Sequence, residues 1–153
     1  MINYQQYKQG MSQMLFDEAF TLHLTFNFNR NTTLETAKKK LRFWTFDVLR
    51  RLYGRSYYRR NPIDTIYYVA FPEYGADGNN LHLHAPCRVD VTKAIEFRHI
   101  AEALWKKIIP SGSLYVQKIG ETADDLKRVI SYDLKDFRIN DYIVSTEFAS
   151  TKT

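Results

Sequence analysis

Two kinds of hydrophobic periodicity alternate along this sequence. Strict alternation of apolar and polar residues in FTLHLTFNF (20–28) predicts a strand, because successive strand side chains point to opposite faces. Further strands are predicted over three runs rich in β-branched and aromatic residues: 64–73, 81–90 and 113–119. A turn over 74–80, with Asp77-Gly78 as its strongest signal, joins the second strand to the third. The segment 141–148 is either a short final strand or an ordered tail.

Three other segments repeat apolar residues at helical spacing. The first, 31–54, opens with capping residues and ends at Gly54. Its apolar positions are Leu34, Ala37, Leu41, Trp44, Val48 and Leu52. The second, 91–109, has an apolar stripe that is expected to consist of Ile95, Ile100, Ala103, Leu104 and Ile108. The third, 120–137, begins with a glycine and a cluster of acids, which suits the positive end of a helix dipole. The segment 55–62 is predicted to be a loop.

The order of these elements predicts the fold class. Strand, helix, strand, strand, helix, strand and helix follow one another within 153 residues, a length typical of one domain. Four strands with two crossover helices predict an α+β protein with a ferredoxin-like, split βαβ antiparallel sheet. The last helix follows the sheet. Nucleic-acid-binding modules share this layout, so the fold by itself leaves the function open.

The charge is concentrated in one segment. The whole chain carries a formal net charge of +5, but residues 38–60 contain nine Lys or Arg and one acid, a net of +8. Aromatic residues are interleaved with these cations, a mixture that suits phosphates and stacked bases of single-stranded DNA. Arg55, Arg59 and Arg60 are the candidate DNA-binding residues. The alternative is a solvated helix face whose aromatic residues belong to the core.

Composition also bounds the environment. Cys87 is the single cysteine, which excludes an internal disulfide and fits a reducing compartment. No apolar run approaches the roughly 20 residues of a membrane span, and the polar N-terminus lacks the apolar stretch of a signal peptide. We therefore expect a cytoplasmic protein with no membrane partner.

Half of the four histidines stand in the motif LHLHA. His82 and His84 are two residues apart in a predicted strand, so both imidazoles lie on the face opposite Leu81 and Leu83. Glu73 ends the preceding strand, and a hairpin would bring its carboxylate beside them. Two imidazoles and a carboxylate leave coordination positions open, which suits Mn²⁺ or Mg²⁺. The alternative is a pair of exposed strand histidines without a ligand function. His23 would share the open face and contact DNA or a metal-bound water.

A candidate nucleophile lies in the last helix. Tyr132 and Lys135 are three residues apart and would share a helix face. A tyrosine hydroxyl is a poor nucleophile at its ordinary pKa of about 10, and a metal ion on the phosphate together with a nearby ammonium group would favour its attack. Core packing is the commoner role for one tyrosine among eleven.

Three motifs together resemble the rolling-circle replication initiators of the HUH endonuclease superfamily, named for a His-hydrophobe-His motif. They occur in the order of that family: TLHLTF (21–26), FPEYGADGNNLHLHAP (71–86) and YDLK (132–135). The resemblance implies that 1–153 is one nicking endonuclease domain. It implies metal ligation by Glu73, His82 and His84, a nucleophilic Tyr132 and an auxiliary Lys135. Position 136 is Asp, so no second tyrosine follows one turn later, which implies the single-tyrosine branch of the family.

The implied reaction is sequence-specific nicking and joining of single-stranded DNA at a replication origin. Attack by Tyr132 would give a 5′-phosphotyrosine bond and a free 3′-OH that can prime replication. No GxxxxGK[ST] motif occurs, so a separate helicase would unwind the duplex. A single-tyrosine transposase of the insertion-sequence type would use the same chemistry. A ferredoxin-like nucleic-acid-binding module without catalysis is the alternative from a different functional class.

Overall fold

A computed structural model of the chain describes residues 3–75 and 80–149. The fold is α+β, with a five-stranded open antiparallel sheet in the order β4-β1-β3-β2-β5, broadly compatible with a ferredoxin-like fold. The strands are β1 Leu22–Asn27, β2 Ile66–Glu73, β3 His82–Val89, β4 Ser113–Lys118 and β5 Ile143–Val144. The helices of the described residues are α1 Tyr4–Asp17, α2 Leu34–Tyr53, α3 Ala94–Ile108, α4 Ala123–Asp133 and α5 Thr146–Ala149.

The main core lies between one face of the sheet and helices α2 and α3. Leu24 and Phe26 point from β1 into this layer and are fully buried, as are Trp44 on α2 and Trp105 on α3. Each indole N–H finds a backbone acceptor, so neither tryptophan leaves a buried polar group unsatisfied. Helix α2 starts at the N-cap Thr33 and stops at Gly54, whose positive φ of 76° favours glycine.

The opposite face of the sheet is only partly covered. Helices α1 and α4 contribute a second, smaller core over β2, which includes Leu15, Phe71 and Ile130. The same face of β1 and β4 carries polar residues, and Thr25 of β1 pairs with His84 on one side and with Tyr115 of β4 on the other. The predicted open face therefore exists beside α4.

Several predictions about individual elements need correction. Helix α1 was not predicted, and the predicted loop 55–62 contains one 3₁₀ turn, Tyr57–Arg59, and the first residue of another, Pro62–Asp64. The fully buried side chains of α3 are Phe97, Ala101 and Trp105. Of the expected stripe, Ile100, Leu104 and Ile108 pack partly buried against the core, whereas Ile95, at 76% exposure, and Ala103 face solvent. Helix α4 ends at Asp133, four residues earlier than predicted.

Segment 141–148, predicted as either a short final strand or an ordered tail, contains the short strand β5, which pairs with β2. Helix α5 follows β5 directly. The Asp77-Gly78 turn lies outside the described residues. In the part of the chain that the structure describes, no helix has the length and apolar character needed to cross a membrane.

Candidate active site on the open sheet face

Glu73 connects two of the predicted site residues. One carboxylate oxygen, Oε2, accepts a hydrogen bond from Nε2 of His84, and the other, Oε1, lies 2.9 Å from Nζ of Lys135. Burial alone would raise the pKa of Glu73, but the hydrogen bonds from Lys135 and His84 outweigh it and lower that pKa below its ordinary 4.5. The carboxylate is therefore held ionised between two donors.

His84 lies at the centre of the cluster. Its Nδ1 is 3.4 Å from the hydroxyl oxygen of Thr25, and its ring stacks almost parallel on that of His23 with 5.7 Å between centroids. Burial lowers the pKa of His84 below its ordinary 6.5, against the opposing effects of the nearby carboxylates. The neutral ring can donate from Nε2 to Glu73 while Nδ1 accepts from Thr25, so both nitrogens have assigned partners.

Tyr132 lies against the same histidine. The edge of one ring meets the face of the other in a T-shaped contact, with 5.4 Å between the centroids of Tyr132 and His84. Tyr132 is 49% exposed, unlike the aromatic residues of the core. Lys135 lies beyond the end of α4 rather than on a shared helix face, yet its Nζ is 4.1 Å from the Tyr132 ring centroid. The turn after the helix thus brings the two side chains together.

Lys135 interacts with both Glu73 and Tyr132. The hydrogen bond to the Glu73 carboxylate is the largest effect that raises the pKa of Lys135 above its ordinary 10.5, and a hydrogen bond with Tyr132 raises it further. The ammonium group therefore remains charged beside the tyrosine at neutral pH.

Asp133 is a site residue that the sequence analysis missed. Its side chain is 0% exposed, and both carboxylate oxygens accept from Nε2 of His23 at 2.9 and 3.0 Å. His23 was placed correctly on the open face by its alternation with Leu22 and Leu24. Nothing in the sequence around Asp133 distinguishes it from the exposed acids of the same segment. Only the docking of α4 on the sheet reveals this pair.

His82 occupies the neighbouring row of the sheet. It is paired in register with Glu73, and its ring centroid is 6.4 Å from that of His84. Within the described residues, nothing hydrogen-bonds to its buried Nδ1 atom. A buried nitrogen without a partner is costly, and a cation can accept its lone pair. The donor set of Glu73, His82 and His84 has the chemistry that a divalent ion requires, but Glu73 and His84 are hydrogen-bonded to each other, so a bound ion would replace that hydrogen bond. Among the described residues, the ligand atoms of this set are not grouped within 4.8 Å of one another.

A second donor set shares His84. Ligand atoms of His23, His84 and Asp133 all lie within 4.8 Å of one another, which is close enough to hold one ion. Since His84 belongs to both sets, only the residues unique to each set distinguish between them. These are Glu73 and His82 for the predicted set, and His23 and Asp133 for the second.

An open cleft of about 400 Å³ runs between α4 and strands β1, β3 and β4. It is lined by His23, Thr25, His84, Gln117, Arg128, Val129 and Tyr132. The cleft thus combines the candidate nucleophile, two imidazoles, an amide and a guanidinium group. Such a surface has donors for phosphate oxygens and base edges.

The arginines predicted to bind DNA lie elsewhere. Arg60 stacks over Tyr53, whose hydroxyl donates to Asp90 just after β3. Asp90 follows the end of the paired strands β2 and β3 that is remote from Glu73. The two ends of β2, Ile66 and Glu73, are about 23 Å apart at roughly 3.3 Å per strand residue. Arg59 stacks over Tyr58, and Arg55 is exposed. Arg60 thus lies at the end of β2 opposite the candidate site.

Comparison of the chain with models of protein families, with curated proteins and with solved structures gives no match.

Proposed function

We propose that this chain is a single-tyrosine endonuclease of the HUH type, which nicks and rejoins single-stranded DNA to initiate rolling-circle replication. The observation that carries the proposal is the contact of an exposed Tyr132 with both His84 and Lys135 on an open sheet face. A tyrosine that only packed the core would be buried and would not need an ammonium group and an imidazole around its ring.

The proposed reaction is a transesterification. The Oη atom of Tyr132 attacks a backbone phosphorus, a bond forms between Oη and phosphorus, and the bond from phosphorus to O3′ breaks. The phenolic proton leaves the tyrosine, and a proton is taken up by the departing O3′. The products are a 5′-phosphotyrosine and a free 3′-OH. Because one phosphate ester replaces another, attack by a 3′-OH reverses the step.

Lys135 and Glu73 support the nucleophile in this proposal. The ammonium group of Lys135 stabilises the negative charge that develops on the tyrosine oxygen. Glu73 holds this ammonium at 2.9 Å and so fixes its place relative to the ring. His84 positions the ring from the opposite side through the edge-to-face contact.

Glu73, His82 and His84 would hold the divalent cation, Mn²⁺ or Mg²⁺, and the chemistry such an ion supplies when bound is polarisation of a non-bridging phosphate oxygen. The carboxylate of Glu73 is ionised and His84 favours its neutral form, which are the states that ligands require.

We further infer that the sheet is a ferredoxin-like, split βαβ arrangement extended by β5. The strand order β4-β1-β3-β2 and the crossover helices α2 and α3 support this. The partners would be single-stranded DNA of a replication origin and a separate helicase.

A randomised single-stranded DNA library tests the proposal without knowledge of the origin. The wild-type protein is incubated with the library and Mn²⁺, denatured, and recovered with any covalently attached DNA. We expect recovered strands to share one sequence, attached through their 5′ ends, and none to be recovered when EDTA replaces Mn²⁺. DNA that binds reversibly but never becomes attached would instead identify a non-catalytic binding module.

A further inference from the structure

Strand β4 presents one large aromatic side chain on the open face. Tyr115 is 58% exposed, whereas its neighbours Leu114 and Val116 point to the main core. Among the described residues, no ring contact or hydrogen bond holds the Tyr115 side chain. An exposed phenol ring without a partner on a strand contributes little to folding.

Tyr115 stands in the same row of the sheet as the candidate active site. Thr25 pairs with His84 of β3 on one side and with Tyr115 of β4 on the other. Neighbouring strands are about 4.8 Å apart, so the backbone of Tyr115 is roughly 10 Å from that of His84. Helix α4, which carries Tyr132, stands above this row beside the cleft. A single DNA strand that leaves the cleft across β1 would reach Tyr115 next.

The surroundings of Tyr115 suit a nucleobase better than a protein surface. Ser113 and Gln117 flank it on the same face, and Asn27 donates a hydrogen bond to the Ser113 hydroxyl. These groups can bond to base edges, while Arg128 on the cleft wall is 78% exposed at its side chain and can contact a phosphate. A single aromatic ring among polar groups is the arrangement used to stack bases of single strands.

We propose that Tyr115 is a base-stacking subsite, which holds the nucleotide base next to the phosphate that faces Tyr132. The DNA strand would then run from β3 across Thr25 to β4. This inference rests on the proposed function, since it assigns a path to the same single-stranded substrate. It adds a residue outside the three sequence motifs, and it makes Tyr115 a binding residue with no part in the chemical step.

Fluorescence of 2-aminopurine tests the subsite. The base analogue replaces one base at a time along an oligonucleotide recovered from the randomised library, and binding is measured with Tyr132→Phe so that no cleavage occurs. We expect quenching at one position adjacent to the cut. Tyr115→Ala in the same background should abolish that quenching and weaken binding about ten-fold, whereas Tyr115→Phe should preserve both. Ile95→Ala, which removes an exposed apolar side chain of α3 on the opposite side of the sheet, is the control and should change neither.

The outcomes separate the subsite from the proposed function. If wild-type protein forms the covalent adduct but Tyr115→Ala binds and quenches like its parent, the subsite is wrong and the endonuclease stands. If quenching is lost equally in Tyr115→Phe, stacking is not the interaction and the subsite is also wrong. If the wild-type protein forms no adduct with any strand of the library, both proposals fail together.

Discussion

Nε2 of His23 on β1 donates to both carboxylate oxygens of Asp133, at 2.9 and 3.0 Å, and Asp133 directly follows Tyr132 in α4. This pair is therefore a polar attachment of the tyrosine-bearing helix to the sheet. The carboxylate is fully buried, so water does not screen the interaction. The position of Tyr132 therefore depends on two residues, His23 and Asp133, that lie within the quoted motifs but have no role assigned by the resemblance.

Removal of the Asp133 carboxylate should destabilise the protein. Asp133→Ala leaves the partly buried His23 without its acceptor, and loss of one member of a buried pair costs about 3 kcal/mol of unfolding free energy. Asp133→Asn should cost less, because the amide oxygen still accepts. Urea denaturation measures both, with the exposed Asp136→Ala as the control, expected within about 0.5 kcal/mol of wild type. Equal stabilities of Asp133→Ala and Asp136→Ala would show that the pair contributes nothing.

Stability should fall as the pH falls through the range in which His84 titrates. Burial lowers the pKa of His84 in the folded state, so the unfolded chain, with an ordinary pKa of 6.5, takes up the proton first. The stabilising contribution is present above pH 6.5 and is lost as the pH drops through the folded-state pKa. The lowered pKa of Glu73 acts in the same direction below pH 4.5.

The measurement is the unfolding free energy between pH 7.5 and 5 in the presence of EDTA. His84→Gln should show a shallower decline than wild type, and His99→Gln, which changes an exposed histidine of α3, should decline like wild type. A steeper decline in His84→Gln would reverse the assigned sign.

Mn²⁺ should raise the melting temperature, and variants unique to each donor set should show which set binds it. A ligand that binds only the folded state stabilises it according to its concentration relative to Kd. We expect Glu73→Gln and His82→Ala to lose the shift produced by Mn²⁺ and Asp133→Asn to retain it. The opposite pattern would place the ion between His23, His84 and Asp133.

The distant arginines should contribute to affinity but not to the chemical step. If Arg55, Arg59 and Arg60 each contact one phosphate of a single strand, the triple alanine variant should reduce the slope of log affinity against log salt by about 2. The rate of cleavage at saturating DNA should be unchanged, since Arg60 lies at the far end of β2 from the site. A double alanine variant of the exposed Arg98 and Lys107 on α3 serves as control. An unchanged slope in the triple variant would mark the segment as a solvated surface.

Periodicity predicted the strands of the sheet because their side chains are strongly sorted between two faces. Leu81, Leu83 and Ala85 are fully buried on one face, while His82 and His84 point to the other. Helix α1 escaped prediction because only Met11 and Leu15 of its fourteen residues are buried. Its capping box was a usable signal, since Asn3 is followed three residues later by Gln6 and each side chain bonds to the backbone of the other residue.

The site was less predictable than the sheet because part of it depends on helix docking. The spacing in the sequence was sufficient to place Glu73 beside the histidine strand, since a hairpin brings the two strands together. The partners of His23 and of Tyr132 depend instead on how α4 lies on the open face, which no local pattern encodes. The apolar stripe of α3 was predicted in part: Ile100, Leu104 and Ile108 pack against the core, whereas Ile95 faces solvent. The most deeply buried residues, Phe97 and Trp105, were missed.

The covalent bond to Tyr132 is the most direct test of the whole account. The wild-type protein is incubated with Mn²⁺ and a strand recovered from the library, digested with protease and nuclease, and its peptides are weighed by mass spectrometry. We predict a nucleotide attached through its 5′ phosphate to the peptide that contains Tyr132. Tyr132→Phe should bind the same strand with similar affinity and give neither cleavage nor adduct, because it removes only the hydroxyl. Undiminished cleavage by Tyr132→Phe, or an adduct on another residue such as Tyr142, would contradict the assignment of the nucleophile.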